Sequence, residues 1–441
     1  MDITTFNLSN PWRTGRSWHV PVIERTITRD LENWLEDPEI LILAGARQVG
    51  KTSILYQLIH HLLRSGRADP KDIYYFNLDL ASISEFLEDQ AGLLRFLEAE
   101  KKENIYVFID EVQRLPQPGI FIKGLQDLRL PLKLILTGSS SLDIRTKTHE
   151  ALTGRKQVFH IKSLSFPEYV KATPGLPSLP LLDQGNYHIY LDALNDALRA
   201  YAYYGGYPAV VLTDDNEKKI LRLNEIFTSY LEKDIAGFMK VENLSAFRKL
   251  ATLLSAQQGG LINIQELSAT LGVHRETVSR YIHYLEETFV LKRLTPFFSN
   301  PRTELSKMPK LYFADAGLRN LALGAMMGGD VHMRTDMGPI MEGMVASHVM
   351  GNHYPLKNVN YWRTKSGAEV DFVISDIMPV QSIEVKTGPL RQVKISRGYR
   401  SFLKKYAPEK AILINRDLWA KTRLEDCIME TIPLSVFLMG K

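Results

Sequence analysis

The sequence predicts a multidomain α/β protein whose first third is a parallel sheet covered by helices. Three observations lead there. Short apolar runs recur through the first ~165 residues: Ile40–Ala44, Ile73–Asn77, Ile105–Ile109, Leu132–Thr137 and Lys156–Ile161. Several are apolar at consecutive positions, as strands buried on both faces must be. Between the first two, Ile54, Leu55, Leu58, Ile59 and Leu62 fall on one face of a helix, and strand–helix–strand repetition implies parallel pairing through right-handed crossovers.

The remaining chain follows in order. Thr173-Pro-Gly-Leu-Pro-Ser-Leu-Pro180 is a breaker-rich linker. Tyr187–Leu231 reads as helical, interrupted at Gly205-Gly-Tyr-Pro208, and residues 236–325 read as helices followed by a two-stranded ribbon. The last ~115 residues switch to mixed α/β. A length of 441 residues suits two to four domains at roughly 100–200 residues each.

Composition sets limits. Hydrophobic residues make up 45% and charged residues 24%, ordinary globular usage. A formal net charge of +4 excludes a polybasic nucleic-acid coat, so any charge that meets nucleic acid must be local. Cys427 is the single cysteine, which rules out an internal disulfide and a cysteine-based zinc site. The first residues lack the basic and apolar regions of a secretory signal, and the apolar run Ile40–Ala46 falls far short of the ~20 residues needed to span a bilayer. The expectation is a cytoplasmic protein without membrane contact.

Gly45-Ala46-Arg47-Gln48-Val49-Gly50-Lys51-Thr52 fits the phosphate-loop pattern in full, directly after a strand and directly before a helix, and with Ser53 forms the candidate nucleotide-binding segment. Glycines let backbone N–H groups curl around a phosphate, and the helix N-terminus adds partial positive charge. Lys51 can reach the outer phosphates of ATP or ADP, and the Thr52 hydroxyl can hold Mg²⁺. Ile105–Ile109 runs into Asp110-Glu111, and acids at the carboxyl end of a parallel strand face the ligand crevice. Asp110 can hold Mg²⁺ while Glu111 orients or deprotonates water; alternatively, the pair caps the turn. The next strand ends Thr137-Gly138-Ser139-Ser140-Ser141, hydroxyls that either contact the terminal phosphate or build a turn.

This combination resembles the AAA+ ATPase family. More narrowly, Gly-Ala-Arg-Gln-Val-Gly-Lys-Thr, Phe108-Ile-Asp-Glu-Val-Gln113 and Gly205-Gly-Tyr-Pro-Ala-Val-Val211 resemble bacterial and archaeal AAA-type ATP-binding proteins that continue into a winged helix and a restriction-endonuclease-like domain. The resemblance runs from about Ile23 to the last fifth of the chain. It implies an N-terminal extension at 1–22, a P-loop AAA+ core at 23–165, a helical lid at 166–235, a winged helix at 236–327 and a restriction-endonuclease-like domain at 328–441. It also implies that the Ser139-bearing strand lies between the two Walker strands, with Ser139 as a sensor. Arg155 in Leu152-Thr-Gly-Arg155 takes the place of an arginine finger, with Arg145 as competitor. A finger acts on a neighbouring subunit, hence a homo-oligomer; Arg155 as a local sensor or surface residue is the other reading.

Ile264–Leu285 has the helix-turn-helix layout, with Leu267 and Leu271 inward on the first helix and Gly272 at the turn. Val273, Val278, Ile282 and Leu285 form the apolar stripe of the second helix. His274, Arg275, Thr277, Ser279 and Arg280 are left facing solvent, where DNA contacts are made. Val290–Leu294 and Lys310–Phe313 would form the wing, with Arg302 and Lys307 near its tip. Glu276, Glu286 and Glu287 dilute the basic face, and a purely protein-binding adaptor is the competing reading.

In the last domain Glu369, Asp371, Glu384 and Lys386 alternate with apolar residues on two strands. Glu384 and Lys386, two apart, project to one face. With Glu342 on a helix they match the nuclease superfamily pattern of helical Glu, Asp and Glu-x-Lys, although Val370 stands where a proline often precedes the Asp. The resemblance implies Mg²⁺ on Glu342, Asp371 and Glu384, with Lys386 either lowering the cost of forming hydroxide or holding the scissile phosphate. A solvated Glu384–Lys386 ion pair is the plain alternative. Beyond it, Arg391, Lys394, Arg397, Arg400, Lys404 and Lys405 follow with no acid until Glu409. Tyr399, Phe402 and Tyr406 would form the buried side of that helix, and its basic side is either a phosphate-contacting face or a solvated one.

Overall fold

The computed structural model describes residues 2–99, 104–139, 154–173, 182–241, 243–297, 308–326, 334–353, 358–376, 379–424 and 427–440. Ser140, Ser141, Arg145, Arg302 and Lys307 lie outside them. The chain divides into two compact units, Met1–Ser163 with Glu287–Phe289, and Leu164–Glu286 with Val290–Lys441.

In the first unit β1 (Ile40–Ala44), β2 (Ile73–Asn77), β3 (Ile105–Asp110), β4 (Leu132–Gly138) and β5 (Lys156–His160) form one sheet in the order β2-β3-β4-β1-β5. Every pairing is parallel. β4 lies between β3 and β1, the order the resemblance implied. All residues of β1 and β3 are buried, which is why their sequences are apolar without alternation. The Lys51–Arg64 helix buries Ile54, Leu55, Leu58, Ile59 and Leu62, the stripe visible in the sequence.

β2 is an edge strand, and an open edge invites unwanted pairing. The first residues cover it. Asn10 is fully buried, and its amide donates to the Tyr75 carbonyl at 2.9 Å while its Oδ1 accepts from the Tyr75 N–H at 2.7 Å. Phe6 and Trp12 pack beside it; Trp12 Nε1 donates to the Ile73 carbonyl. The residues of the expected extension are thus part of the fold.

The second unit opens with helices at Phe166–Ala172, Tyr187–Tyr204, Pro208–Val211 and Asn216–Ser229, the last running on as π-helix through Tyr230–Phe238. Helices follow at Leu244–Ala256, Ile264–Leu271 and Arg275–Glu287. Its sheet contains β6 (Leu291–Pro296), β7 (Lys310–Phe313), β8 (Asn358–Arg363), β9 (Glu369–Ser375), β10 (Pro379–Val385), β11 (Lys410–Asn415), β12 (Ala420–Leu424) and β13 (Cys427–Pro433). Their order is β12-β13-β11-β10-β9-β8-β6-β7, mixed in direction. The ribbon expected as a wing is β6–β7, and it is the outer pair of this sheet, joined through Thr295↔Asn360 and Pro296↔Tyr361. Both faces of β11 are buried: Ile412 and Ile414 enter one core, Ala411 and Leu413 another, as the two-residue period requires.

Candidate functional site

The phosphate loop follows β1 directly. Gly45 sits where a side chain is impossible, since a Cβ would stand 2.1 Å from the Ile161 carbonyl oxygen. Gln48 and Gly50 take left-handed backbone, at φ 61° and 97°, turning the chain into the helix. Arg25 holds the loop from behind by donating to the Val49 carbonyl at 2.8 Å and to the Lys162 carbonyl at 2.8 Å. Lys51 is buried, and its ammonium donates to the carbonyls of Gly45 and Ala46 at 2.9 Å each. Val49 and Ala46 are buried, Arg47, Thr52 and Ser53 half-buried, and Gln48 exposed.

Asp110 ends β3 beside this loop. The Thr52 hydroxyl donates to its Oδ2 at 2.6 Å, the Tyr75 hydroxyl to the same oxygen at 2.9 Å, and the Thr137 hydroxyl to Oδ1. Burial first, then the Asp110 charge, pushes the Tyr75 hydroxyl far above its ordinary range, so Tyr75 remains a donor. A hydroxyl and a carboxylate in contact at a helix start are the hard oxygen donors that Mg²⁺ takes. These residues fit ATP and Mg²⁺.

Glu111 has left-handed backbone (φ 60°), and its N–H donates to Thr137 Oγ1 at 2.9 Å. Its carboxylate accepts from Gln113 Nε2, which also donates to Ser139 Oγ at 3.0 Å. Gln113 is buried and bridges the two residues that the sequence assigned separately. It went unassigned because its reach depends on the 3₁₀ turn Val112–Arg114; its place two residues after Glu111 was the available signal. Arg155 lies elsewhere. It immediately precedes β5, whose Lys156 pairs with Ile40 at the start of β1, so it sits at the sheet end opposite the phosphate loop. Its guanidinium pairs with Asp127 at 2.7 Å, with both side chains about half exposed.

In the second unit Asp371 and Glu384 come from the adjacent strands β9 and β10. Asp371 Oδ2 accepts from the Val385 N–H at 2.7 Å. Burial, then the charges of Glu342 and Glu384, push its carboxyl up to about 7, against the opposing effects of the Val385 N–H and Lys310. Glu384 is engaged by the Lys386 ammonium and by Ser396 Oγ at 3.3 Å. Glu342 accepts from Lys310 at 3.2 Å and from the Tyr312 hydroxyl. Lys310 also contacts Glu369, whose other oxygen takes Arg363 at 2.9 Å. The acids expected to hold Mg²⁺ therefore approach one another, but around a lysine that the sequence reading did not assign. Among the described residues no group of three or more His, Cys, Asp or Glu is arranged to hold a metal, and the committed oxygens do not fit a divalent ion.

The helix-turn-helix segment is built from local signals. Asn263 caps Ile264–Leu271 by accepting from Gln265 and Glu266 N–H, and Gly272 closes it at φ 66°. Val278, Tyr281, Ile282 and Leu285 are buried; His274, Arg275, Ser279 and Arg280 are exposed and Thr277 is half-buried. Arg275 pairs with Glu276 at 2.9 Å. On the Arg397–Tyr406 helix, Tyr399, Phe402 and Leu403 face inward. Ile395, Arg397, Arg400, Ser401 and Lys404 line a groove of about 490 Å³.

Residues 37–170 match the AAA domain family, and residues 195–327 and 337–437 match two domains of unknown function, DUF8612 and DUF4143. An uncharacterized protein of Mycobacterium tuberculosis is 25% identical over 393 residues, covering 88% of this chain and 79% of the relative. One from Methanocaldococcus jannaschii is 23% identical over 442 residues, covering 94% and 88%. Among solved structures, the Walker-type ATPase of Pyrococcus abyssi is similar over 68% of this chain and 96% of its own, with 16% identity and a TM-score of 0.45. The chain thus carries an AAA-type ATPase domain on a parallel-sheet P-loop core, followed by a second, mixed sheet. No helix among the described residues is long and apolar enough to cross a membrane.

Proposed function

We propose that this chain is a Mg²⁺-dependent AAA+ ATP hydrolase that engages DNA, the nucleotide held at the phosphate loop controlling that engagement. The observation that carries the reading is the Thr52–Asp110 contact beside the phosphate loop, with Glu111 on the next residue and tied through Gln113 to Ser139. Lys51, now spanning the loop's own carbonyls, is placed to exchange them for phosphate oxygens. Thr52 and Asp110 would hold Mg²⁺, which when bound neutralises charge on the transferring phosphoryl group. Glu111 takes the proton of the attacking water, and Gln113 fixes its carboxylate relative to Ser139. Arg155, at the sheet end opposite the phosphate loop, serves a neighbouring subunit's site in a homo-oligomer.

Exposed His274, Arg275, Ser279 and Arg280 with half-buried Thr277, and the basic groove at Arg397, Arg400 and Lys404, support DNA as the partner. The adjacency of Asp371 and Glu384, with Lys386 against Glu384, favours a second reading in which the C-terminal sheet cuts the bound strand once a divalent ion has displaced Lys310 from its acids. The first test is ATP turnover. Lys51→Ala reduces it to background, and unchanged turnover in that variant sinks the hydrolase reading. DNA then stimulates turnover in the parent chain, and Arg275→Ala with Arg280→Ala weakens DNA binding; absence of both effects leaves an ATPase that works on protein. Incubation with plasmid, linear and branched DNA plus Mg²⁺ or Mn²⁺ separates the cutting reading from the binding one.

A further inference from the structure

Lys310 is among the largest side chains fully buried in the protein, and it is a cation. It comes from β7, at the end of the second sheet, yet its ammonium reaches Glu342 on the Met337–His353 helix at 3.2 Å and Glu369 on β9. It also stands 5.4 Å from the centre of the Tyr361 ring. A buried ammonium persists only where acids surround it and its protons are taken. Here burial works against the charge, and Glu342, Glu369 and Asp371 outweigh it, holding the ammonium above its ordinary range.

The acids around it are already committed. Glu342 Oε1 takes both Lys310 and the Tyr312 hydroxyl, which burial and Glu342 hold firmly protonated. Glu369 divides its oxygens between Lys310 and Arg363, Asp371 gives Oδ2 to the Val385 N–H, and Glu384 is shared by Lys386 and Ser396. Gly259 lets Glu342 approach, because a Cβ there would stand 3.0 Å from Glu342 Oε2. A hard divalent ion needs several carboxylate or carbonyl oxygens turned toward one point. In this cluster Glu342 Oε1, Asp371 Oδ2 and both oxygens of Glu369 and Glu384 are turned toward N–H and O–H donors, and its positive charge is covalently attached to the chain.

We propose that the carboxylate cluster of the second sheet is a closed ion-pair centre whose resident cation is the Lys310 ammonium, so that a divalent metal must displace this lysine rather than enter an open site. The centre thereby ties β7, β9 and the Met337–His353 helix together. This goes beyond the ATP-hydrolase reading and survives or fails separately from it.

The experiment is a Mn²⁺ titration of the full chain without nucleotide, in an Asp110→Asn background that silences the phosphate-loop carboxylate, with free Mn²⁺ followed by electron paramagnetic resonance. With Lys310 present, no saturable site is expected. Lys310→Met is expected to raise affinity by roughly tenfold or more, and Asp371→Asn added to it to abolish the gain. Lys310→Gln, which can still donate to Glu342, replaces the methionine variant if that one does not fold. A saturable Mn²⁺ site in the Lys310-containing chain that disappears with Asp371→Asn overturns the proposal without any lysine variant. A folded Lys310→Met or Lys310→Gln protein that binds Mn²⁺ no better than its parent also overturns it. ATP turnover of the Lys51-containing parent, measured in parallel, keeps failure here distinct from failure of the hydrolase reading.

Discussion

Two carboxylate centres, one in each unit, are held by opposite means. Asp110 in the first unit is fixed by the hydroxyls of Thr52, Thr137 and Tyr75. Glu342, Glu369 and Glu384 in the second are fixed by Lys310, Arg363 and Lys386. A hydroxyl positions a carboxylate and leaves its charge in place; an ammonium or guanidinium positions it and cancels the charge. Lys51 illustrates the distinction, since its ammonium donates to the backbone carbonyls of Gly45 and Ala46. The first centre therefore remains able to attract a cation, whereas the second has been supplied with one. A motif that names only the acids cannot separate the two cases; the donors around them do.

The largest expected effect tests whether the first centre does chemistry. Glu111→Gln keeps the shape and the Thr137 contact of the backbone but removes the base, so ATP binds with near-parental affinity while turnover falls by roughly 10²–10⁴-fold. Calorimetry for binding and single-turnover hydrolysis for chemistry report the two separately. Turnover within a few-fold of the parent would move the role of base away from Glu111 and leave Asp110–Glu111 as a turn cap.

How much of this was legible depends on range. β1 to β5 and the phosphate loop were readable because apolar runs and glycine spacing are local signals, and burial on both faces writes consecutive apolar residues into the sequence. The strand order was available only through family resemblance, for nothing in Leu132–Gly138 itself says that β4 sits between β3 and β1. Lys310 was not legible. In Lys-Leu-Tyr-Phe it looks like an ordinary surface lysine at a strand start, and its burial arises from pairings between β6, β7 and β8 and from a helix that begins at Met337. Asn10 likewise gives no local sign that it will bond to the edge of β2, 65 residues away.

The second prediction probes the uneven balance inside the closed centre. Asp371 is the acid there whose carboxyl is pushed up, to about 7 from an ordinary 3.8, burial being the main cause. In the folded protein it therefore holds a proton between about pH 4 and 7 that the unfolded chain has released. Protons bound preferentially to the folded state stabilise it, so this contribution is present at the acid end and is lost as pH rises toward 7. A shift of about three units corresponds to on the order of 4 kcal/mol at most. Asp371→Asn removes the titration, so the variant gains stability relative to its parent between pH 4.5 and 7.5, measured by urea unfolding of the second unit at each pH. A stability difference independent of pH would mean that Asp371 is ionised throughout and that the centre's charges are already balanced.

The smallest effect is the most direct test of the contrast between neutral and charged donors. Tyr75→Phe deletes one hydroxyl from Asp110 and leaves Thr52 and Thr137 bonded to it. Because the lost donor was neutral, no unpaired charge is created, and the cost should be about 1 kcal/mol of stability, with turnover reduced a few-fold at most. Removing one partner of a buried ion pair is different, since the opposite charge stays behind; about 3–5 kcal/mol is the usual scale. Thermal unfolding of Tyr75→Phe beside Lys310→Met measures that gap. If the two losses are equal, then either Asp110 depends on Tyr75 as strongly as an ion pair or Lys310 is not the counter-charge of its cluster. The Mn²⁺ titration distinguishes these, because only the second alternative leaves the carboxylates of β9 and β10 open to metal in the parent chain.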